Sequence, residues 1–206
     1  MEDELNECKP QSTTPSRNLP TSCIGLKAGL QEIQLSNGNP LNVLCDNDGW
    51  IIIQRRINGK LDFNRNWTEY VNGFEDPSRQ GEFFIGLENL HLITNSKRHE
   101  ALFSVTVPKR TLGTKYDNFR VGNAESLYEL KSIGNHDGVY NGLFWNENQK
   151  FSTYDRNNRD NCSGNGMGGW WYPENCGYSN LNALYGYLRW SDNPATTSII
   201  RIRPYE

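Results

Sequence analysis

From Trp50 the chain reads Trp-Ile-Ile-Ile-Gln-Arg-Arg-Ile57, a segment of strand length that opens on four apolar residues. Asn58-Gly59 and then Lys60-Leu-Asp-Phe63 follow, a pattern that predicts a hairpin, because Asn-Gly accepts positive φ at both central turn positions. Ala101-Leu-Phe-Ser-Val-Thr-Val107 alternates as a strand and stops at Pro108, and Ser126 to Ile133 reads as another strand ended by Gly134. Thr197 to Arg203 is predicted as the last strand, closed by Pro204. Helical signals are short. Asn66 to Val71 before Gly73 predicts two turns with a polar N-cap and a glycine stop. Gly86 to Ile93 places Leu87, Leu90 and either Leu92 or Ile93 on one face, with Asn95 as the stop. Strands begin at about Leu41, and further Asp-Gly or Asn-Gly pairs at residues 48, 72, 137 and 141 mark a turn-rich sheet protein. One sheet with scattered short helices argues α+β.

Residues 1 to about 20 are polar, aperiodic and rich in Ser, Thr and Pro, so they are expected to form a flexible tail. The remaining length, 21–206, suits one domain with a core of its own. A net charge of −3 without a basic run longer than Pro108-Lys109-Arg110 argues against nucleic acid and acidic membranes as partners. The longest purely apolar stretch, Trp50 to Ile53, is far too short for a membrane span.

Five cysteines, 19 glycines and only 2 methionines fit a secreted chain. Cysteine spacing allows Cys23 with Cys45 and Cys162 with Cys176, which leaves Cys8 in the tail. Cys8 then either forms an interchain bond, hence a homodimer, or stays unpaired. Zinc would need close Cys or Cys/His pairs, and His91, His99 and His136 lie near no cysteine. Asn66-Trp67-Thr68 is an acceptor pattern for N-glycosylation, as is Asn161-Cys162-Ser163. Met1 to Cys8 carries no apolar leader segment, so either a secreted chain has lost one, the favoured expectation, or the chain is intracellular and its cysteines are not paired.

The densest chemistry lies between Cys162 and Asn182: a glycine run, Trp170-Trp171-Tyr172, Pro173, Cys176 and Asn180-Leu181-Asn182. The glycines lack the preceding strand, Lys-Ser/Thr and following helix of a phosphate cradle. Trp170 and Trp171 are expected in the core, since tryptophans bury large area. Asp117 and Asp137 lie near turns, where side-chain capping of the backbone is the ordinary role.

Taken with Gly49-Trp50, Gln54-Arg55-Arg56, Asp62-Phe63-x-Arg65-x-Trp67-x-x-Tyr70-x-x-Gly73-Phe74, Gly81-Glu82-Phe83-Phe84-x-Gly86-Leu87-Glu88 and Phe151-Ser-Thr-Tyr-Asp155, this segment makes the chain resemble a fibrinogen C-terminal domain from about Ser22 to Pro204. The resemblance implies a twisted antiparallel sheet with short helices and a loop-rich C-terminal part. Its subdomains would span about 21–49, 50–150 and 151–206, with the last strand returning to the central sheet.

The resemblance also implies calcium in the loop after Phe151-Ser-Thr, with Asp155, Asn157 and Asp160 as the positions to test. Here Asp155-Arg-Asn-Asn-Arg-Asp160 sums to zero formal charge, whereas calcium affinity follows ligand charge. The residues therefore predict a loop closed by Arg-Asp pairs and no cofactor. Sugar-binding relatives, ficolins and tachylectins among them, hold an acetyl group in an aromatic pocket at the second cysteine, often after a cis peptide, here Asn175-Cys176. In this chain Gly177 stands where a histidine is common, Gly166 or Met167 replaces an aromatic, and the loop from Tyr185 to Trp190 is short. Tyr178, Tyr185, Tyr187 and Trp190 remain as stacking faces.

Two functional classes follow. One is a secreted binding protein that recognises glycans or acetylated surface groups in innate recognition. The other is a receptor-binding or adhesion ligand acting through protein contacts on the same face, as angiopoietin-like and tenascin-like relatives do. No nucleophile elbow, metal-binding histidine cluster or triad supports an enzyme.

Overall fold

The computed structural model describes residues 18–157, 161–164 and 166–206. The tail expected over residues 1–20 therefore falls almost entirely outside the described residues, as do Cys8 and Asp160. Strands β1 (Gly29–Gln34), β2 (Pro40–Cys45) and β3 (Ile51–Arg56) precede helix α1 (Trp67–Asn72), strand β4 (Phe83–Phe84) and helix α2 (Leu87–Ser96). Then come β5 (His99–Val107), β6 (Arg110–Tyr116), β7 (Arg120–Val121), a 3₁₀ turn (Ala124–Ser126), β8 (Leu130–Ser132) and β9 (His136–Gly138). Strands β10 (Arg189–Trp190), β11 (Asn193–Pro194) and β12 (Thr197–Pro204) close the chain.

Eight strands form one antiparallel sheet in the order β1-β2-β3-β12-β5-β6-β9, with β4 also on β3. β12 inserts between β3 and β5, pairing Ile200 with Gln54 on one side and with Phe103 on the other. The last strand forms as expected and alternates: Ser198, Ile200, Ile202 and Pro204 are buried, and the residues between them are partly exposed. β3 is buried at every position except Arg55, and this near-total burial explains its unbroken Ile-Ile-Ile run. One contiguous cluster of buried side chains runs from Cys23 to Ile202.

Helix α1 forms where its caps predict it, whereas α2 runs through the expected stop at Asn95 to Ser96 and is capped by Lys97. Asn66 accepts from Glu69 N–H while Glu69 accepts from Asn66 N–H, a complete capping box, and Gly73 ends the helix at a φ of 83°. On α2 it is Ile93, not Leu92, that joins Leu87 and Leu90 in the core. The disulfides Cys23–Cys45 and Cys162–Cys176 are both present.

Two expectations need correction. Lys60 to Phe63 does not return as a strand, because the N–H groups of Ile57, Asn58 and Gly59 all donate to Glu82 Oε1 and Leu61 N–H donates to Oε2. A buried carboxylate thus takes the bonds that a hairpin partner would have taken, and β3 pairs instead with distant β12. Nor is Ser126 to Ile133 one strand. Leu127 and Tyr128 adopt left-handed conformations (φ 53° and 47°), and only Leu130–Ser132 pairs, with β7. Tyr128 is held there by its hydroxyl bond to Glu88 and by Trp171 Nε1 donating to its carbonyl. Tertiary contacts outweigh the local apolar pattern.

Candidate functional site

The Cys162–Asn182 segment divides into framework and surface. Trp170 and Trp171 are buried, and Trp171 meets Phe119 and Phe151 edge to face. Asn180 and Asn182 are buried as well, and their side chains serve the loop itself. Asn180 Nδ2 donates to Met167 O and the Tyr172 hydroxyl, and Asn182 Nδ2 donates to Gly169 O. Burial raises the Tyr172 hydroxyl well above its ordinary pKa, which keeps it a neutral hydrogen-bonding group. Gln54 and Arg56 of β3 reach over to the carbonyls of Leu181 and Ala183, so the central sheet holds this loop from beneath.

Beside this framework the turn after Asn141 carries the most exposed aromatic pair on the face. Leu143 is fully buried and its N–H donates to the Tyr116 hydroxyl, while Asn146 Nδ2 donates to Trp171 O. With both ends pinned inward, the two residues between point out. Phe144 and Trp145 are 59% and 58% exposed and touch edge to face at 4.9 Å. The sequence reading passed over both. An apolar pair inside a turn of Asn, Gly and Glu was the available signal.

Trp145 stands as a ridge between two hollows. The larger, about 520 Å³, is lined by Trp145, Asn148, Gln149, Lys150, Ser152, Asn157, Tyr172, Pro173, Glu174 and Asn175. Asn148, Gln149, Lys150 and Glu174 make no side-chain hydrogen bond to another described residue, so four polar heads are available there. The smaller, about 210 Å³, is lined by Asn141, Gly142, Trp145, Asn146, Tyr178, Ser179, Ser191 and Asp192.

The stacking faces read from the sequence do not come together. Trp190 is fully buried, stacked on Phe103 at 5.1 Å, and is a core residue rather than a ligand contact. Tyr185 leans over the Asn58-Gly59 bend and its hydroxyl donates to Ile57 O, while Tyr187 is exposed and lines neither hollow. Tyr178 alone of the four enters a hollow, with Asn175 in the other. The described peptide bonds are all trans, including the one into Cys176, which takes a φ of 63° followed by Gly177 at 69°.

The calcium positions also resolve differently. Asp155 Oδ1 accepts from Trp67 N–H (3.0 Å) and from the Thr153 hydroxyl (2.7 Å). Asn157 Nδ2 donates to Phe151 O and to Ser152 Oγ, whose own hydroxyl donates to Asn157 O. Asn157 therefore turns N–H donors toward the turn, where calcium requires oxygens, and the carboxylate of Asp155 is already engaged. No three His, Cys, Asp or Glu side chains group for a metal among the described residues. Arg156 lies over the Trp67 ring at 4.6 Å, so Asp155 and Arg156 each turn to Trp67 rather than closing the loop on each other. Asp155 and Asn157, the two described positions, do not fit calcium.

Residues 25–200 match the family model for the C-terminal globular domain of fibrinogen beta and gamma chains. Tenascin from Gallus gallus is 39% identical over 168 residues, 77% of this chain but 9% of that protein. Fibrinogen-like protein A from Apostichopus parvimensis is 35% identical over 181 residues, 80% of this chain and 62% of its own length. The chain thus spans about a tenth of the tenascins that it matches. Among solved structures, the fibrinogen-like globe domain of human ANGPTL2 superposes with a TM-score of 0.82 at 26% identity, covering 91% of this chain and 100% of that one.

Proposed function

The chain belongs to the fibrinogen C-terminal domain family, and from that membership we propose that it is an extracellular recognition domain that takes a carbohydrate in the hollow beside Trp145. The family is one of binding and structural domains rather than enzymes. Two disulfides support an oxidising, extracellular setting.

The observation that carries the sugar reading is the make-up of the larger hollow. Its volume lies within the range of small-ligand sites, roughly 300–1,000 Å³. Two amides, a carboxylate and an ammonium stand free around an exposed indole. Amides and carboxylates match the paired donors and acceptors of sugar hydroxyls, and an indole face takes the apolar side of a pyranose ring. The acetyl pocket at Gly177 is not part of the proposal, since its aromatic walls are dispersed.

Retention on immobilised glycans, with and without EDTA, tests the reading. The unmodified domain should be retained in both conditions and Trp145→Ala in neither. Equal retention of the variant, or no retention of the unmodified domain on any glycan, sinks it. The exposed Phe144–Trp145 pair favours a second reading, because clustered, partly exposed aromatics anchor protein interfaces. If no glycan is retained but a protein partner binds and is lost in Phe144→Ala, that reading replaces the first.

A further inference from the structure

We infer that the Ser152–Asn157 turn is a metal-independent clasp that sets one wall of the Trp145 hollow, with Asp155 and Asn157 as positioning residues. The inference rests on the proposed ligand site for its functional consequence, though not for its structural content. Two of the turn's residues, Ser152 and Asn157, line the hollow directly.

Three sets of contacts build the clasp. At one end, Asp155 Oδ1 receives both Trp67 N–H, the first residue of α1, and the Thr153 hydroxyl. In the middle, Arg156 lays its guanidinium over the Trp67 ring, and Thr153 and Arg156 exchange backbone hydrogen bonds of 2.9 and 3.1 Å. At the other end, Asn157 adopts a left-handed φ of 54°, which turns its side chain back across Phe151 and Ser152. Asparagine is among the few residues with a side chain that adopt this conformation readily. Ser152 is fixed in turn by mutual backbone bonds with Trp170, so the wall continues into the buried core.

The charge balance runs the same way. One carboxylate and one guanidinium, both turned to Trp67, leave this part of the turn neutral. A divalent cation placed there would compete with Trp67 N–H for Asp155 and would meet N–H donors from Asn157. Both losses oppose binding. The wall of the hollow is consequently in place without an ion, and ligand uptake is insensitive to calcium.

Thermal unfolding and terbium luminescence of the unmodified domain, in calcium and in EDTA, test this with no ligand present. A calcium site filled to a hundred times its dissociation constant would raise the melting temperature by roughly 5–10 °C. We expect no shift, and no terbium emission sensitised by Trp67. A shift of that size or saturable emission overturns the clasp. Asp155→Asn removes the charge that two donors share and is expected to lower the melting temperature by several degrees in both conditions. In the same variant, glycan retention should weaken about tenfold while Trp145→Ala leaves the melting temperature unchanged. An Asp155→Asn domain with wild-type melting and retention also overturns the proposal. If the unmodified domain retains no glycan, the sugar reading fails, whereas the thermal and terbium measurements still decide the clasp.

Discussion

The Arg56 guanidinium and the Glu82 carboxylate meet at 3.4 Å with both side chains 1% exposed, and between them they tie the central sheet to the C-terminal loops. Arg56 continues to the carbonyls of Leu181 and Ala183 and covers the Phe63 ring at 3.9 Å. Glu82 gathers four backbone N–H groups from Ile57 to Leu61. Removing one partner of such a pair leaves a buried charge uncompensated. Glu82→Gln should therefore cost about 3–5 kcal/mol, read as a lower urea midpoint at neutral pH. A midpoint within error of the wild type would mean that the pair contributes nothing.

The same carboxylate sets an acid limit. Burial alone would raise the Glu82 pKa, but the N–H groups of Leu61, Ile57 and Gly59 together with Arg56 outweigh it and hold the pKa below its ordinary 4.5. A depressed folded pKa means stability that is complete above about pH 4.5 and is lost as the pH falls toward the folded value. Glu82→Gln should flatten this part of the pH profile in denaturant titrations.

His99 acts nearer neutrality. It is buried, Nδ1 donates to Lys97 O, and Nε2 has no partner among the described residues. Burial lowers its pKa below 6.5, the Lys97 carbonyl working against that shift and the Lys97 charge with it. Neutral His99 is the form that the fold accepts, so its contribution is present above pH 6.5 and declines below it. His99→Asn should abolish the loss of stability expected of the wild type as the pH falls below 6.5. An unchanged slope in the variant would assign that loss to other groups.

Two tryptophans should separate cleanly. Trp190→Ala opens a hole against Phe103 and Gly142 and should cost about 3–5 kcal/mol. Trp145→Ala, on an exposed residue, should stay within about 0.5 kcal/mol while ligand binding is lost. Calorimetric unfolding alongside a binding titration distinguishes them, and the opposite pattern would return Trp190 to the binding face.

The Cys162–Cys176 bond closes a loop of sequence separation 14 that carries Tyr172, Pro173, Glu174 and Asn175 of the hollow's lining. Replacing both cysteines with serine should destabilise the domain by about 3 kcal/mol in the chain-entropy picture. Equal melting temperatures for the variant and the parent, the parent's bond verified by peptide mass, would contradict this.

Helices α1 and α2, the strand from Ala101 and the last strand were all legible, because each carries its own signal: a polar N-cap and a glycine stop around Asn66 to Gly73, a 3.6-residue apolar face, alternation stopped by Pro108, or an apolar run closed by Pro204. β1 and β6 were not anticipated. Gly29-Leu-Gln-Glu-Ile-Gln34 and Arg110-Thr-Leu-Gly-Thr-Lys-Tyr116 are largely polar and become strands through pairing with β2 and β5. At the candidate site, the framework role of Trp170 and Trp171 could be read in advance. The dispersal of Tyr178, Tyr185 and Trp190 could not, since residues close in sequence were led apart by contacts with Phe103 and Ile57 far upstream.

By itself the sequence determined the family, the fold class and the cysteine pairs, because those rest on many short motifs whose order and spacing are visible along the chain. Only the tertiary structure decided what covers each surface. Glu82 took the backbone donors of an expected hairpin, Asp155 turned to Trp67, and a buried Leu143 pushed Phe144 and Trp145 outward. The physical reason is the same in each case. A polar group or aromatic ring takes the partner that burial brings to it, and such partners stand tens of residues away along the chain.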